Sequence, residues 1–143
     1  ATSDLKGFAA WHPPEKARMS MWDMLRCHLF KNYRKAKGRK FKPFFSFVSY
    51  CDKKHKEHAN FPHWFLQNIA VEPEYQRRGY ASALLSDMLQ KIDEQNLPCY
   101  LETQNQKNIS MYKKFGFELL EETTLPHTDL EYYFMLRWNC TKK

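Results

Sequence analysis

Between His63 and Leu85 the chain reads HWFLQNIAVEPEYQRRGYASALL, and this stretch limits the fold more than any other. The apolar run from His63 to Val71 is closed by Pro73, whose missing N–H cannot join a sheet ladder, so a buried strand is expected there. After Gly79, residues Ala81, Leu84, Leu85, Met88 and Ile92 recur at helical spacing and form one apolar stripe. A strand that enters a helix through a tight turn leaves backbone N–H groups facing outward, and the helix start adds about half a positive charge. Gly79 lets the backbone approach an anion with no Cβ in the way, while Arg77 and Arg78 add formal charge beside it. The turn therefore suits a pyrophosphate. Spacing alone leaves an ordinary helix start with surface arginines equally open. Two common nucleotide cradles are excluded: there is no G-x-x-x-x-G-K-[ST] and no G-x-G-x-x-G.

The flanking segments extend the same alternation. A strand is expected from Leu5 to Trp11, stopped by Pro13 and Pro14. A helix follows over ARMSMWDMLRCHLFKNY, with Ser20 as its cap. The segment PFFSFVSYCDKKHKEHA is ambiguous between strand and helix. The three-to-four-residue recurrence of Phe44, Phe47 or Val48, and Cys51 favours a helix. CYLETQN, Cys99 to Asn105, is the next strand. A short helix then places Ile109, Tyr112 and Phe115 on one side, and Gly116 suits its left-handed C-terminal cap. FELLEE and LEYYFMLRW close the chain as neighbouring antiparallel strands. The fold class is mixed α/β (α+β), read as one domain over residues 1–143, with residues 15–61 as a helical, basic insert.

The net charge of +7 favours phosphate-bearing partners. The basic run KNYRKAKGRKFK, Lys31 to Lys42, reads first as a solvated loop or helix end and second as a nucleic-acid or membrane-surface contact. Cys27, Cys51, Cys99 and Cys140 show neither C-x-x-C pairing nor regular spacing, which fits reduced thiols and a cytoplasmic protein, with nuclear residence also compatible. No apolar run approaches the ~18 residues of a membrane span, and no leader-like segment opens the chain. His55, His58 and His63 cluster in sequence, but H-E-x-x-H is absent, so no metal is expected.

QRRGYA, Gln76 to Ala81, resembles the Q/R-x-x-G-x-G/A motif of the GNAT superfamily of acetyl-CoA-dependent N-acyltransferases. HWFLQNIAVEPEYQRRGYASALL resembles that family's fourth strand, pyrophosphate loop and third helix. CYLETQNQKNISMYKKFGFELLEE resembles the next strand, the asparagine-bearing loop, the tyrosine-bearing helix and the GF turn. The resemblance runs from about Pro62 to Trp138. It implies a mostly antiparallel mixed sheet flanked by helices. LKGFAAW resembles the third strand, so the family's first strand and first two helices are expected to be lacking.

The resemblance also implies roles. Ile69, Ala70 and Val71 would pair with the pantetheine arm of acetyl-CoA, as an added strand pairs with a sheet edge. Gln76, Arg77, Arg78, Gly79, Tyr80, Ala81 and Ser82 form the motif, with amides from Arg77 to Ser82 on the pyrophosphate. Asn108 would hydrogen-bond the pantetheine or help splay the sheet. Tyr112 would act as general acid for the departing thiolate. A tyrosine hydroxyl (pKa ~10) can donate toward a thiolate whose acid has a pKa of ~8.5. The alternative for Tyr112 is a core aromatic.

The acceptor amine needs a base, and His63, Gln67, Glu102 and His127 are candidates. At Gln67 relatives often carry glutamate, and an amide cannot take a proton. The implied function is direct transfer of acetyl to a primary amine of a small molecule, by a monomer or homodimer. The rivals are a protein or peptide acetyltransferase, a non-catalytic acyl-CoA binder, and a nucleic-acid-binding module.

Overall fold

The computed structural model describes residues 6–17, 42–126 and 128–138. Among them, one sheet contains β1 (Gly7–His12), β2 (Trp64–Val71), β3 (Cys99–Thr103), β4 (Glu118–Thr124) and β5 (Glu131–Arg137), in the order β1-β2-β3-β5-β4. The helices are α1 (Lys42–His58), α2 (Tyr80–Glu94) and α3 (Gln106–Lys114). Only β2 and β3 run parallel, joined through α2; the other three pairings are antiparallel. The expected mixed, mostly antiparallel sheet is what forms. The helix expected over residues 17–33, its Ser20 cap and nearly all of the basic run lie outside the described residues.

Alternation along the strands sorts the core onto two faces. Leu66, Cys99, Leu101 and Met135 point to one side and are covered by Leu85, Leu89 and Ile92 of α2 and Tyr112 of α3. The buried centre of the α2 stripe is thus Leu85–Leu89–Ile92, with Ala81 and Leu84 only partly covered. Tyr100, Tyr132, Phe134 and Leu136 point to the other side and meet Phe47, Tyr50 and Cys51 of α1. The helical alternative for the α1 segment is therefore the correct one. Its Lys54 Nζ donates to Glu121 at 2.9 Å and its His58 Nε2 lies 2.8 Å from the same carboxylate, which pins α1 to β4.

α3 begins where the Asn105 side chain accepts the Lys107 N–H and ends at Gly116, whose φ of +84° matches the predicted cap. The Phe117 N–H reaches back to the Tyr112 carbonyl at 3.2 Å, closing a Schellman turn. Arg137 locks this end of the molecule. Its guanidinium is bidentate to Asp93 of α2 at 2.6 and 2.7 Å, and its Nε donates to the Phe115 carbonyl at 2.7 Å.

One irregularity opens the sheet at its centre. β1 pairs Ala10 with Asn68 but Trp11 with Leu66, so Gln67 is an extra residue, a β-bulge in β2. The pairing of β2 with β3 stops at the same place, with Leu66 opposite Leu101. From Gln67 to Val71 no strand among the described residues lies beside the β3-facing edge of β2, and the sheet splays open.

Candidate active site

The turn after β2 is built from backbone. Pro73–Tyr75 form one 3-10 turn, and the Gln76 side chain ties it down by donating to the Val71 carbonyl at 3.0 Å. Arg77 (φ +61°) and Gly79 (φ +86°) both take left-handed conformations. For arginine that conformation is uncommon and marks local strain. At Gly79 a Cβ would meet no atom of the described residues within 4 Å, so among them the dihedral and not crowding selects glycine. Ala83 N–H bonds the Gly79 carbonyl at 2.9 Å. The amides of Tyr80, Ala81 and Ser82 precede that bond and have no helical acceptor. With no acidic residue in the first turn of α2, its positive end is uncompensated.

A cavity of about 600 Å³ opens on this turn. Its wall contains Ile69, Ala70 and Val71 on the splayed edge of β2, then Gln76, Arg77, Gly79, Tyr80, Ala81 and Ser82. Asn108 contributes from α3. Arg78 is not part of that wall; its guanidinium lies over the Tyr75 ring, 5.5 Å from the centroid. Tyr75, Asn105, Lys107 and Met111 also line the cavity and were not singled out from sequence. For Lys107 the signal was available: it sits in the first turn of α3, one residue before Asn108, and adds a cation facing the turn.

A second cavity of about 350 Å³ lies in the splay itself, sharing Ile69, Asn105 and Asn108 with the first. Here Tyr112, from the α2/α3 face, and Glu102, from the α1 face, line one space, together with Gln67 at the bulge. Burial pushes the Tyr112 hydroxyl up to about 12, so it stays protonated at neutral pH.

Burial likewise pushes the Glu102 carboxyl up to about 7, even though the Tyr132 hydroxyl donates to it at 3.0 Å and pulls the other way. The buried Tyr100 hydroxyl also lowers it. His63 does not face the cavity. It is buried against His55, with Nε2 to Nε2 at 2.8 Å. His127 lies outside the described residues.

The histidine cluster read from sequence therefore divides, His55 with His63 and His58 with Glu121. Among the described residues no group of three or more His, Cys, Asp or Glu side chains could hold a metal ion. Cys99 is fully buried and Cys51 partly so. Burial raises both thiols, Cys51 to about 12, which disfavours a thiolate nucleophile at either position. Among the described residues no helix is long and apolar enough to cross a membrane.

The turn into α2 thus lies at the mouth of a splayed, mostly antiparallel sheet. The chain belongs to the acetyltransferase (GNAT) family, whose model matches residues 11–117, and members of that family use acetyl-CoA.

Over 122 residues the chain is 27% identical to an uncharacterized N-acetyltransferase of Schizosaccharomyces pombe, covering 80% of this chain and 48% of that protein. It thus spans about half the length of that curated relative. The crystal structure of histone acetyltransferase HPA2 and related acetyltransferase from Corynebacterium glutamicum superposes with a TM-score of 0.57 at 20% identity. That match covers 94% of this chain and 58% of the other and shows the shared fold. The ribosomal-protein-S18-alanine N-acetyltransferase of Escherichia coli is 28% identical with a TM-score of 0.49, each chain 54% covered.

Proposed function

We propose that the protein transfers acetyl from acetyl-CoA directly to a primary amine of a small molecule, acting in the cytoplasm. The observation that carries this reading is the junction of the two cavities at the splay. One ends at helix-start amides that have no acceptor within α2, and the other brings a protonated tyrosine and the Glu102 carboxyl to a common space.

In this reading the pantetheine arm lies along Ile69–Val71 as an added strand, and Asn108 hydrogen-bonds it. The pyrophosphate sits on the amides from Arg77 to Ser82. The thioester carbonyl then reaches the bulge at Gln67, where a re-aimed backbone N–H stabilises the oxyanion. Tyr112 donates a hydrogen bond to the departing thiolate. With its hydroxyl pushed up to about 12, it passes on a proton only in concert with loss of one from the tetrahedral nitrogen.

Two features support a small acceptor over a peptide. α1 packs across the sheet face from which Glu102 projects, and the space in the splay is limited to about 350 Å³. The test is thiol release from acetyl-CoA against a panel of small amines and peptides. Turnover with small primary amines at a kcat/KM above that of every peptide is the expected result. Preference for peptide N-termini or lysines would replace the small-molecule reading with a protein one.

A further inference from the structure

Beyond Leu66 and Leu101, β2 and β3 stop pairing, and the wedge between them is walled largely by side-chain amides. Gln67 and Asn68 stand on the β2 bank, Gln104 follows the end of β3, and Asn105 and Asn108 belong to the start of α3. The Asn105 side chain is committed to capping that helix, since its oxygen accepts from the Lys107 N–H at 3.1 Å. Those of Asn68, Gln104 and Asn108 have no hydrogen-bond partner among the described residues. Each offers two N–H donors and a carbonyl acceptor. Asn108 is shared with the donor cavity, which leaves Asn68 and Gln104, on opposite banks, for whatever enters from the acceptor side.

The charges of the wall narrow the acceptor further. Among the described residues no lysine, arginine or histidine lines this cleft, so a carboxylate or phosphate on the acceptor would meet no cation. Glu102 is the one carboxyl there; burial raises it to about 7, and the Tyr132 hydroxyl donates to it at 3.0 Å. A wall with at most one negative charge matches one ammonium and leaves the further charges of a polyamine unmatched. Apart from two tyrosines, Leu66 and Ile69 are the only apolar lining among the described residues, so an alkyl or aryl amine would gain little burial. The volume of about 350 Å³ holds about a dozen water-sized groups at ~30 Å³ each, the size of one sugar ring.

We propose that the cleft takes a monoamine whose remaining polar groups are hydroxyls, an amino sugar or amino alcohol, and that Asn68 and Gln104 select it. This rests on the reading of the cleft as an amine acetylation site and names the class of amine. A hydroxyl donates and accepts at one atom, so one side-chain amide can pair with two neighbouring hydroxyls, giving through its N–H and accepting at its carbonyl. A peptide offers similar groups, but strung along an extended backbone at ~3.3 Å per residue, whereas this space suits a compact ring. An acceptor hydroxyl replaces the water that otherwise solvates Asn68 and Gln104. An analogue without that hydroxyl displaces the water and returns nothing. Both residues therefore touch the part of the acceptor that does not react.

The test is thiol release from acetyl-CoA with glucosamine, its hydroxyl-free ring analogue cyclohexylamine, the phosphate ester of glucosamine, spermidine and an alanine tripeptide. Glucosamine should have the highest kcat/KM, above cyclohexylamine by about tenfold or more. Asn68→Leu and Gln104→Met keep the size and remove the amide. Each should cut the ratio of kcat/KM for glucosamine over cyclohexylamine by about fivefold. A binding readout on the wild-type protein accompanies the kinetics. With coenzyme A bound, glucosamine should shift the side-chain NH₂ resonances of Asn68 and Gln104, and cyclohexylamine should leave them in place.

A higher kcat/KM for cyclohexylamine, spermidine, the phosphate ester or the tripeptide would overturn the proposal, as would variants that leave the ratio unchanged. Release of no thiol with any amine would instead overturn the acetyltransferase reading. The side-chain shifts would then still decide whether a hydroxylated amine binds at Asn68 and Gln104, and their absence would overturn the proposal as well.

Discussion

The Gly79 turn and the Glu102 pocket sit at two sides of one splay, yet they are assembled by opposite means. The turn is local: residues 71 to 83 make it from two left-handed dihedrals, a helix start and one side-chain brace. In the proposed reading its chemistry is carried by backbone amides. The pocket is non-local: Glu102, Tyr132, His55 and His63 come from β3, β5, α1 and the approach to β2, and its chemistry is carried by side chains. A backbone site is robust to side-chain replacement and fragile to dihedral change. A side-chain site is the reverse. The contrast therefore predicts which substitutions hurt where.

The largest effect should come from Gly79→Val. A β-branched residue at φ +86° is strained, and its side chain would occupy the approach to the amides. The dissociation constant for acetyl-CoA measured by calorimetry should rise about 100-fold or more. Unchanged affinity would remove the turn from coenzyme binding. Next is Tyr112→Phe, which tests a side-chain contribution at the junction. kcat should drop by about 100-fold with the KM for acetyl-CoA changed by less than about threefold. Equal turnover, with chemistry rate-limiting, would return Tyr112 to the core. The smallest effect is expected at Arg78→Ala, because that guanidinium lies over Tyr75 and outside the cavity wall. Affinity should weaken by about threefold at low salt and less at physiological salt. A loss as large as that of Gly79→Val would mean that side-chain charge, not backbone, holds the anion.

The same contrast explains what could be read before the structure was known. Strand, turn and helix around Gly79 are each announced by residues within a few positions, so the turn and most of the residues lining its cavity are legible in the sequence. The α3 cap at Gly116 did so for the same reason. The bulge at Gln67 did not, since neither glycine nor proline marks it; it exists because β1 resumes pairing one residue out of step. The histidines were visible as a cluster in the chain. What they bond was not, because the partners are set by how the last turn of α1 packs over the sheet. Glu102 could be named as a candidate base, but its raised pKa is a product of burial by α1 and β5 and has no local signal. Arg78 shows the converse: a motif position next to the left-handed Gly79 lies over an aromatic ring and not in the cavity wall.

The most direct test of the account is amide chemical-shift mapping during a titration with acetyl-CoA. The largest shifts should fall on Ile69–Val71 and on the amides from Arg77 to Ser82, with smaller ones at Asn108 and Tyr112. Shifts confined to the opposite end of the molecule, around Asp93, Gly116 and Arg137, would contradict it.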